Sequence, residues 1–367
     1  MSLLSQHKKL ALTTIAGLVL CANAYANTDN VRIAGTISGY VVPSQSTAQT
    51  VNSTSGKPIV YEKIVLSSAA KQWLATHSTE SAKLSATQTS TLPAQISLGM
   101  NNVPVLDQGR HGTCVTFAVS GALDAIHGKT DYVSQLCNLE LGAFLATQDS
   151  SYPSGWEGSW GDIVLNQINT YGVISIDSQH TLGCARVFEY PVNDEYDTGK
   201  IMPAPKFTKR SDKIMDNITF KTLMNHDIAF TNDADKEKVL TEVKEALNNG
   251  HRVLIGTLLD VDVGHNGALG TYKVSNDTWM LTPRISKDAK NGTIEAGHEM
   301  IITGYDDNAE VMGPHHTKQV GVLTLRNSWG DDAGDHGNYY MTYAHFTTLA
   351  MEINELIPSA KTQTASK

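Results

Sequence analysis

The first residues in this 367-residue chain that are spaced for covalent chemistry are Gln108-Gly109-Arg110-His111-Gly112-Thr113-Cys114. A glycine-containing turn leads directly into Cys114. Apolar residues then recur at Val115, Ala118, Val119, Ala122, Ala125 and Ile126, the spacing of one helical face. The pattern predicts a helix over 114–127 that stops at Gly128. A cysteine opening a helix faces unpaired backbone N–H groups and the positive end of the helix dipole. Those surroundings lower a thiol pKa, and the thiolate is the nucleophile. Acyl transfer also needs donors for an oxyanion. Gln108 can offer its side-chain N–H and Cys114 its own backbone N–H.

Three more blocks follow in order. Gly158-Ser159 leads into a helical stretch that ends at Tyr171-Gly172-Val173-Ile174. Ala296-Gly297-His298-Glu299-Met300-Ile301-Ile302-Thr303-Gly304-Tyr305 carries a histidine into a strand-forming run. Asn327-Ser328-Trp329-Gly330 has Gly334 and Gly337 beyond it. With the Cys114 block, these resemble the papain-like cysteine peptidase family across most of residues 92–345. The resemblance implies an α+β, two-lobed fold with an active-site cleft between a helical lobe and an antiparallel β-rich lobe. It implies hydrolysis of peptide bonds in peptide or protein substrates, through a thioester and with no cofactor. Cys114 would attack, His298 would act as general base and then acid, and Asn327 would orient the imidazole as third member of the triad. Gln108 would help form the oxyanion hole. Gly158, Ser159, Gly297 and Trp329 would line the substrate path, with Trp329 also shielding the Asn–His contact from water. Asp306 and Asp307 are rival third members.

The chain departs from the family pattern in places. Val115 replaces the aromatic residue after the nucleophile, Ala333 replaces an aromatic after the Trp-Gly pair, and His111 replaces the family's first cysteine, so that disulfide cannot form. The Cys114-to-His298 separation exceeds the roughly 130–150 residues usual for the family. The excess is assigned to loops at 190–232 and 260–295, which bear on substrate preference rather than reaction type. The same fold also serves amidases, acyltransferases and non-catalytic binding proteins.

The segments around these blocks set the context. His7, Lys8 and Lys9, an apolar stretch reaching Cys21, and Ala24-Tyr25-Ala26 together predict a cleaved export signal over residues 1–26, and hence a secreted or periplasmic protein. Its removal takes Cys21 and leaves Cys114, Cys137 and Cys184. In an oxidising compartment Cys137 and Cys184 are expected to pair. Residues 27–91 are dense in Ser and Thr around two β-prone runs, 31–42 and 58–66, which suggest a hairpin. A weak helical pattern follows over 67–86 through Ala69, Trp73, Leu74 and Leu84. The segment reads either as a flexible stalk or as a pro-segment that crosses the cleft and inhibits its own enzyme. Leu92-Pro93 resembles the start of a mature domain. Residues 92–367 would form the peptidase domain, with a helical lobe at about 102–205 and a β-rich lobe at about 206–355. Helices are expected at 162–171 and 234–249, and strands at Arg252–Leu259, 299–304, 319–326 and 338–343.

Composition excludes other classes. A hydrophobic content of 41% supplies a core, so general disorder is excluded. A net charge of −9 argues against a nucleic-acid partner. No apolar run reaches the ~18 residues that span a bilayer. His315-His316 lacks a third metal ligand, and Asp331, Asp332 and Asp335 do not fit a calcium loop.

Overall fold

The computed structural model describes residues 30–42, 56–78, 92–193 and 198–359. The export signal at 1–26 and the later part of the 67–86 helical pattern lie outside them. The leading segment holds strands β1 (Val31–Val41) and β2 (Lys57–Leu66) and helix α1 (Ser68–His77). β1 and β2 pair antiparallel, from Val31 opposite Leu66 to Val41 opposite Lys57. Burial alternates with exposure along β1, the pattern of an edge strand with one face to solvent. Ser67 caps α1 by accepting the N–H of Ala70 at 3.0 Å. A short strand, β3 (Gln95–Ser97), follows.

The helical half is built around α2 (Cys114–His127). All its residues but His127 are buried, including the polar Thr116, Ser120 and Asp124, the last accepting the N–H groups of Tyr132 and Val133. Gly128 stops it in the left-handed conformation, φ 62°. Around it lie α3 (Gln135–Gln148), α4 (Gly161–Tyr171), α5 (Ile176–Leu182) and α6 (Ala204–Thr208). Val164, Leu165 and Ile168 of α4 share one core with Val115, Val119 and Ala122 of α2. Cys137 and Cys184 form a disulfide, Cα atoms 5.2 Å apart, within a second apolar cluster that includes Leu136, Trp156 and Phe207.

The remaining elements are β4 (Ile218–Met224), α7 (Lys236–Asn248), β5 (Arg252–Leu259), β6 (Thr278–Trp279), α8 (Pro283–Asn291), β7 (Ala296–Met312), β8 (Lys318–Arg326), β9 (Asn338–Thr342), α9 (Tyr343–Leu349) and β10 (Ala350–Pro358). The sheet runs β4-β10-β5-β7-β8-β9-β6, antiparallel throughout except for β6 beside β9. β7, at 17 residues, is long enough to serve several partners along its length. Its first part pairs with β5, and from Ile301 onward it pairs with β8. β2 pairs with its first two residues and β3 with Gly304–Asp306. The molecule is therefore α+β, with a helical part and an antiparallel sheet part.

Two of the expected loops contain regular structure. The 190–232 stretch holds α6 and β4, and 260–295 holds β6 and α8. β4 is a sheet-edge strand whose burial does not alternate cleanly, and α8 buries only Ile285 and Ala289, so neither shows a full apolar period. Helices and strands are also interleaved along the chain. β1 to β3 precede every helix around the nucleophile, and α7, α8 and α9 are interleaved with the sheet.

Candidate active site

Cys114 is the first residue of α2, wholly buried, and is the free cysteine among the described residues. α2 lies against β7, with Gly121 close to Ile301. The backbone N–H groups of Glu299 and Val115 both act on the Cys114 sulfur. His298 therefore sits on the strand that flanks the nucleophile, one residue before Glu299.

Asn327 lies just past the end of β8. Its Oδ1 accepts hydrogen bonds from His298 Nε2 at 2.7 Å and from the Ser328 N–H at 2.7 Å. Because Oδ1 can only accept, Nε2 carries the proton and Nδ1 keeps its lone pair. That Nδ1 is buried and makes no hydrogen bond among the described residues. Trp329 covers the pair: its ring stacks on His298 with centroids 4.7 Å apart and planes 25° from parallel, and it is fully buried. Asp306 and Asp307 are engaged elsewhere. Asp307 pairs with Lys244 and accepts from Tyr343 Oη, while Asp306 accepts from Tyr272 Oη. Neither holds the imidazole.

Gln108 is bound to the same segment as Asn327. Its backbone N–H donates to Ser328 O at 2.9 Å, and its Oε1 accepts from Ser328 Oγ at 2.8 Å. This fixes the amide so that Nε2 points the other way, toward His111 O at 2.9 Å and Val60 O at 3.2 Å. His111, standing where the family resemblance calls for cysteine, anchors the turn by other means. Its Nε2 meets Pro191 O at 2.6 Å, and its ring packs edge-on against Trp156 and Tyr190.

The cleft is filled by β2. Val60 lays its carbonyl on Gln108. Tyr61 meets the rings of His298 and Trp329 edge-on at 6.0 and 5.7 Å. The Glu62 carboxyl reaches the Cys114 thiol and accepts the Ser159 N–H at 2.9 Å. Gly158 and Gly297 permit the approach. A Cβ on Gly158 would stand 3.0 Å from Glu62 Cγ, and one on Gly297 would stand 2.6 Å from Ile64 Cγ1. Lys57 pins the start of β2 by pairing with Asp107 and donating to Trp329 O. Cys114, His298, Gln108, Gly158, Ser159, Gly297 and Trp329 thus all meet β2, and Asn327 joins them through His298.

The electrostatics differ from the expectation for a helix N-terminus. Burial, reinforced by Glu62 and Glu299, pushes the Cys114 thiol up rather than down, and the two N–H groups offset only part of this. Burial also lowers His298 to about 4, against a smaller upward pull from Asn327. With β2 in place the pair is a neutral thiol and a neutral imidazole. Glu62, Tyr61, Val60 and Glu299 were not singled out from the sequence. One signal was available for Glu62: it shares strand parity with Ile64 and Leu66, so it is an acid on an apolar face.

No metal-binding cluster of His, Cys, Asp or Glu occurs among the described residues, and no described helix is long and apolar enough to cross a membrane. No family model matches the chain, and no curated protein matches it. Among solved structures it is similar to xylellain, a cysteine protease from Xylella fastidiosa, at 15% identity over 73% of this chain and 87% of that one, TM-score 0.46. It is similar to digestive procathepsin L 3 of Tenebrio molitor larval midgut, at 18% identity over 74% and 71% of the two chains, TM-score 0.44. A third is the ragweed pollen cysteine protease Amb a 11 in its proform, at 16% identity over 75% and 68%, TM-score 0.40.

Proposed function

We propose that the chain is a papain-like cysteine peptidase, exported through the signal at 1–26 and made as a zymogen whose residues 27–91 cover the site. One observation carries this reading. A buried His298–Asn327 pair under Trp329 lies on the strand that flanks the helix-initial Cys114, and a backbone carbonyl of the leading segment sits on the Gln108 amide, where this reading puts a substrate carbonyl.

Once β2 has left, His298 Nδ1 takes the Cys114 proton and the sulfur attacks the scissile carbonyl. The oxyanion is held by Gln108 Nε2 and a backbone N–H at the start of α2. Collapse to the thioester expels the amine, which receives the proton from His298. Water, deprotonated by the same imidazole, then releases the acid and restores the thiol. Asn327 keeps the ring in place through both steps. Gly158, Ser159 and Gly297, which meet β2 in the covered form, are the residues a substrate would meet in its place.

The test is mass spectrometry of a diverse peptide mixture incubated with the full-length and processed chain, with Cys114→Ala as control. Cys114-dependent cleavage is expected from the processed form. Products joined to an added amine, without hydrolysis, would replace the peptidase by an acyltransferase. Cleavage that survives in Cys114→Ala would remove the nucleophile assignment.

A further inference from the structure

Four carboxyl groups from four elements converge, and two of them, Glu62 and Glu299, bear on the candidate nucleophile. Glu62 comes from β2, Asp162 from the first turn of α4, Glu299 from β7 and Glu352 from β10. Glu62, Glu299 and Glu352 are 1–3% exposed. Glu352 is well satisfied: it accepts the N–H groups of Gly161 and Asp162 at 2.9 and 3.1 Å and the Asn354 amide at 2.8 Å. Glu299 is not, because its buried Oε1 makes no hydrogen bond among the described residues. Glu62 is the only one of the four that belongs to the leading segment. The charges that bear most on Glu62 and Glu299 are other carboxylates, with no cation among them.

We propose that Glu62 is a proton-gated latch: it docks over Cys114 as a neutral acid, and its ionisation drives β2 out of the cleft, so that the site opens as pH rises. The proposal rests on the reading of residues 27–91 as a covering segment.

The physical argument is one of company. A carboxylate can be buried if a cation or several donors meet it. Glu62 receives one backbone N–H from Ser159, and beyond that it faces the Cys114 thiol, Glu352 and Glu299. Ionised there, it would repel its neighbours inside a dry site. Neutral, it fits. Burial foremost, and Glu352 in addition, raise it from 4.5 to about 8 in the docked form. After undocking it is exposed and returns toward its ordinary value, so docking takes up one proton between those limits.

The sign follows from that uptake. The docked carboxyl sits above its free value, so docking is unpenalised below the free value. It weakens about tenfold per pH unit as pH rises toward 8, then levels off. The other titratable groups around β2 do not reverse this. Glu299 and Glu352 are also raised by burial and act in the same sense. Cys114 is raised and His298 lowered, so a thiolate–imidazolium pair formed on opening trades a proton internally and takes none from solvent. At the far end of β2, Lys57 pairs with Asp107.

The test is iodoacetamide labelling of Cys114 in the chain with residues 27–91 present, read by mass spectrometry of the Cys114 peptide from pH 6 to 8, for the parent and Glu62→Gln. Gln keeps the shape and can still accept from Ser159. Dividing the two rates removes the thiol's own pH dependence. The parent-to-variant ratio is expected to rise about tenfold per pH unit. A ratio constant within twofold, or one that falls with pH, would overturn the latch. If Glu62→Gln does not fold, deuterium exchange on the unsubstituted chain decides. Exchange across 57–66, corrected for its intrinsic pH dependence, should rise with pH while 299–304 stays protected, and parallel behaviour of the two would overturn the proposal. Neither readout needs turnover, so a chain that cleaves no peptide could still carry the latch, and a peptidase could lack it.

Discussion

Ile64→Ala tests whether β2 leaves the cleft as a unit or is a permanent strand of the sheet. Ile64 is fully buried and fills the space over Gly297, where a Cβ would lie 2.6 Å from its Cγ1 and 2.9 Å from its Cδ1. Truncating a buried isoleucine to alanine costs about 2–5 kcal/mol, the higher figures belonging to sites that cannot collapse. Here position 297 has no side chain to move in, and its backbone is fixed between Glu62 on one side and Leu258 of β5 on the other. The loss is therefore expected at roughly 3.5–5 kcal/mol. Because these contacts exist only while β2 is docked, the whole loss falls on the covered form. The open population should rise roughly 400- to 5,000-fold at 25 °C. The assay is the rate of Cys114 alkylation with residues 27–91 in place. Ile168→Ala in α4, equally buried but away from β2, is the control. It should lower Tm by a similar amount while leaving labelling at 25 °C near the parent rate, since opening of the cleft does not pass through α4. If Ile64→Ala lowers Tm and labelling stays within twofold of the parent, β2 does not come out on its own and the covering-segment reasoning fails.

Three further outcomes follow from the site. Asn327→Ala strands the His298 N–H inside the protein at a cost of about 1–3 kcal/mol. In the processed enzyme this should appear as a fall in kcat of roughly 5- to 150-fold with KM nearly unchanged, and a change confined to KM would contradict the positioning role. Gln108→Ala removes the proposed oxyanion donor and should lower kcat by about 10²–10³. It also frees the Val60 carbonyl, so covered-form labelling of Cys114 should speed up in the same variant. Replacing Cys137 and Cys184 together by alanine opens a loop of 47 residues. The chain-entropy model puts this near 4 kcal/mol, to be read as a lower Tm with Cys114 reactivity unaltered in the folded protein.

Much of the site was legible because its signals are local. A Gly-containing turn followed by an apolar 3.6-residue period marks α2 to the residue at both ends, and the apolar run of β5 gives Arg252–Leu259 without correction. What stayed hidden depends on partners far away in sequence. α3 buries Gln135, Asn138 and Glu140 among its apolar residues, so it has almost no apolar face to detect. β10 buries Glu352 and Asn354 mid-strand, which breaks the hydrophobic run. Glu352 is tolerated there because it caps the start of α4, 190 residues away. That compensation cannot be seen from either segment alone.

The same distinction explains why the helix-terminus argument gave the wrong sign for Cys114. It weighs the dipole and the free N–H groups, both of which are present: Val115 and Glu299 do pull the thiol down. It omits the dielectric, which is set by whatever lies over the sulfur. β2 supplies that cover, and with it a carboxyl, so desolvation and like charge outweigh the dipole. The covered site is thereby inert twice over. The thiol holds its proton, and the imidazole that would accept it is buried and neutral. Removing β2 would reverse both terms at once, because water and the loss of Glu62 lower the thiol while solvation raises the imidazole. On the proposed reading, in which β2 leaves the cleft, the strand decides the reactivity of Cys114, and the N-terminus of α2 sets only how far the thiol pKa falls once the strand has gone.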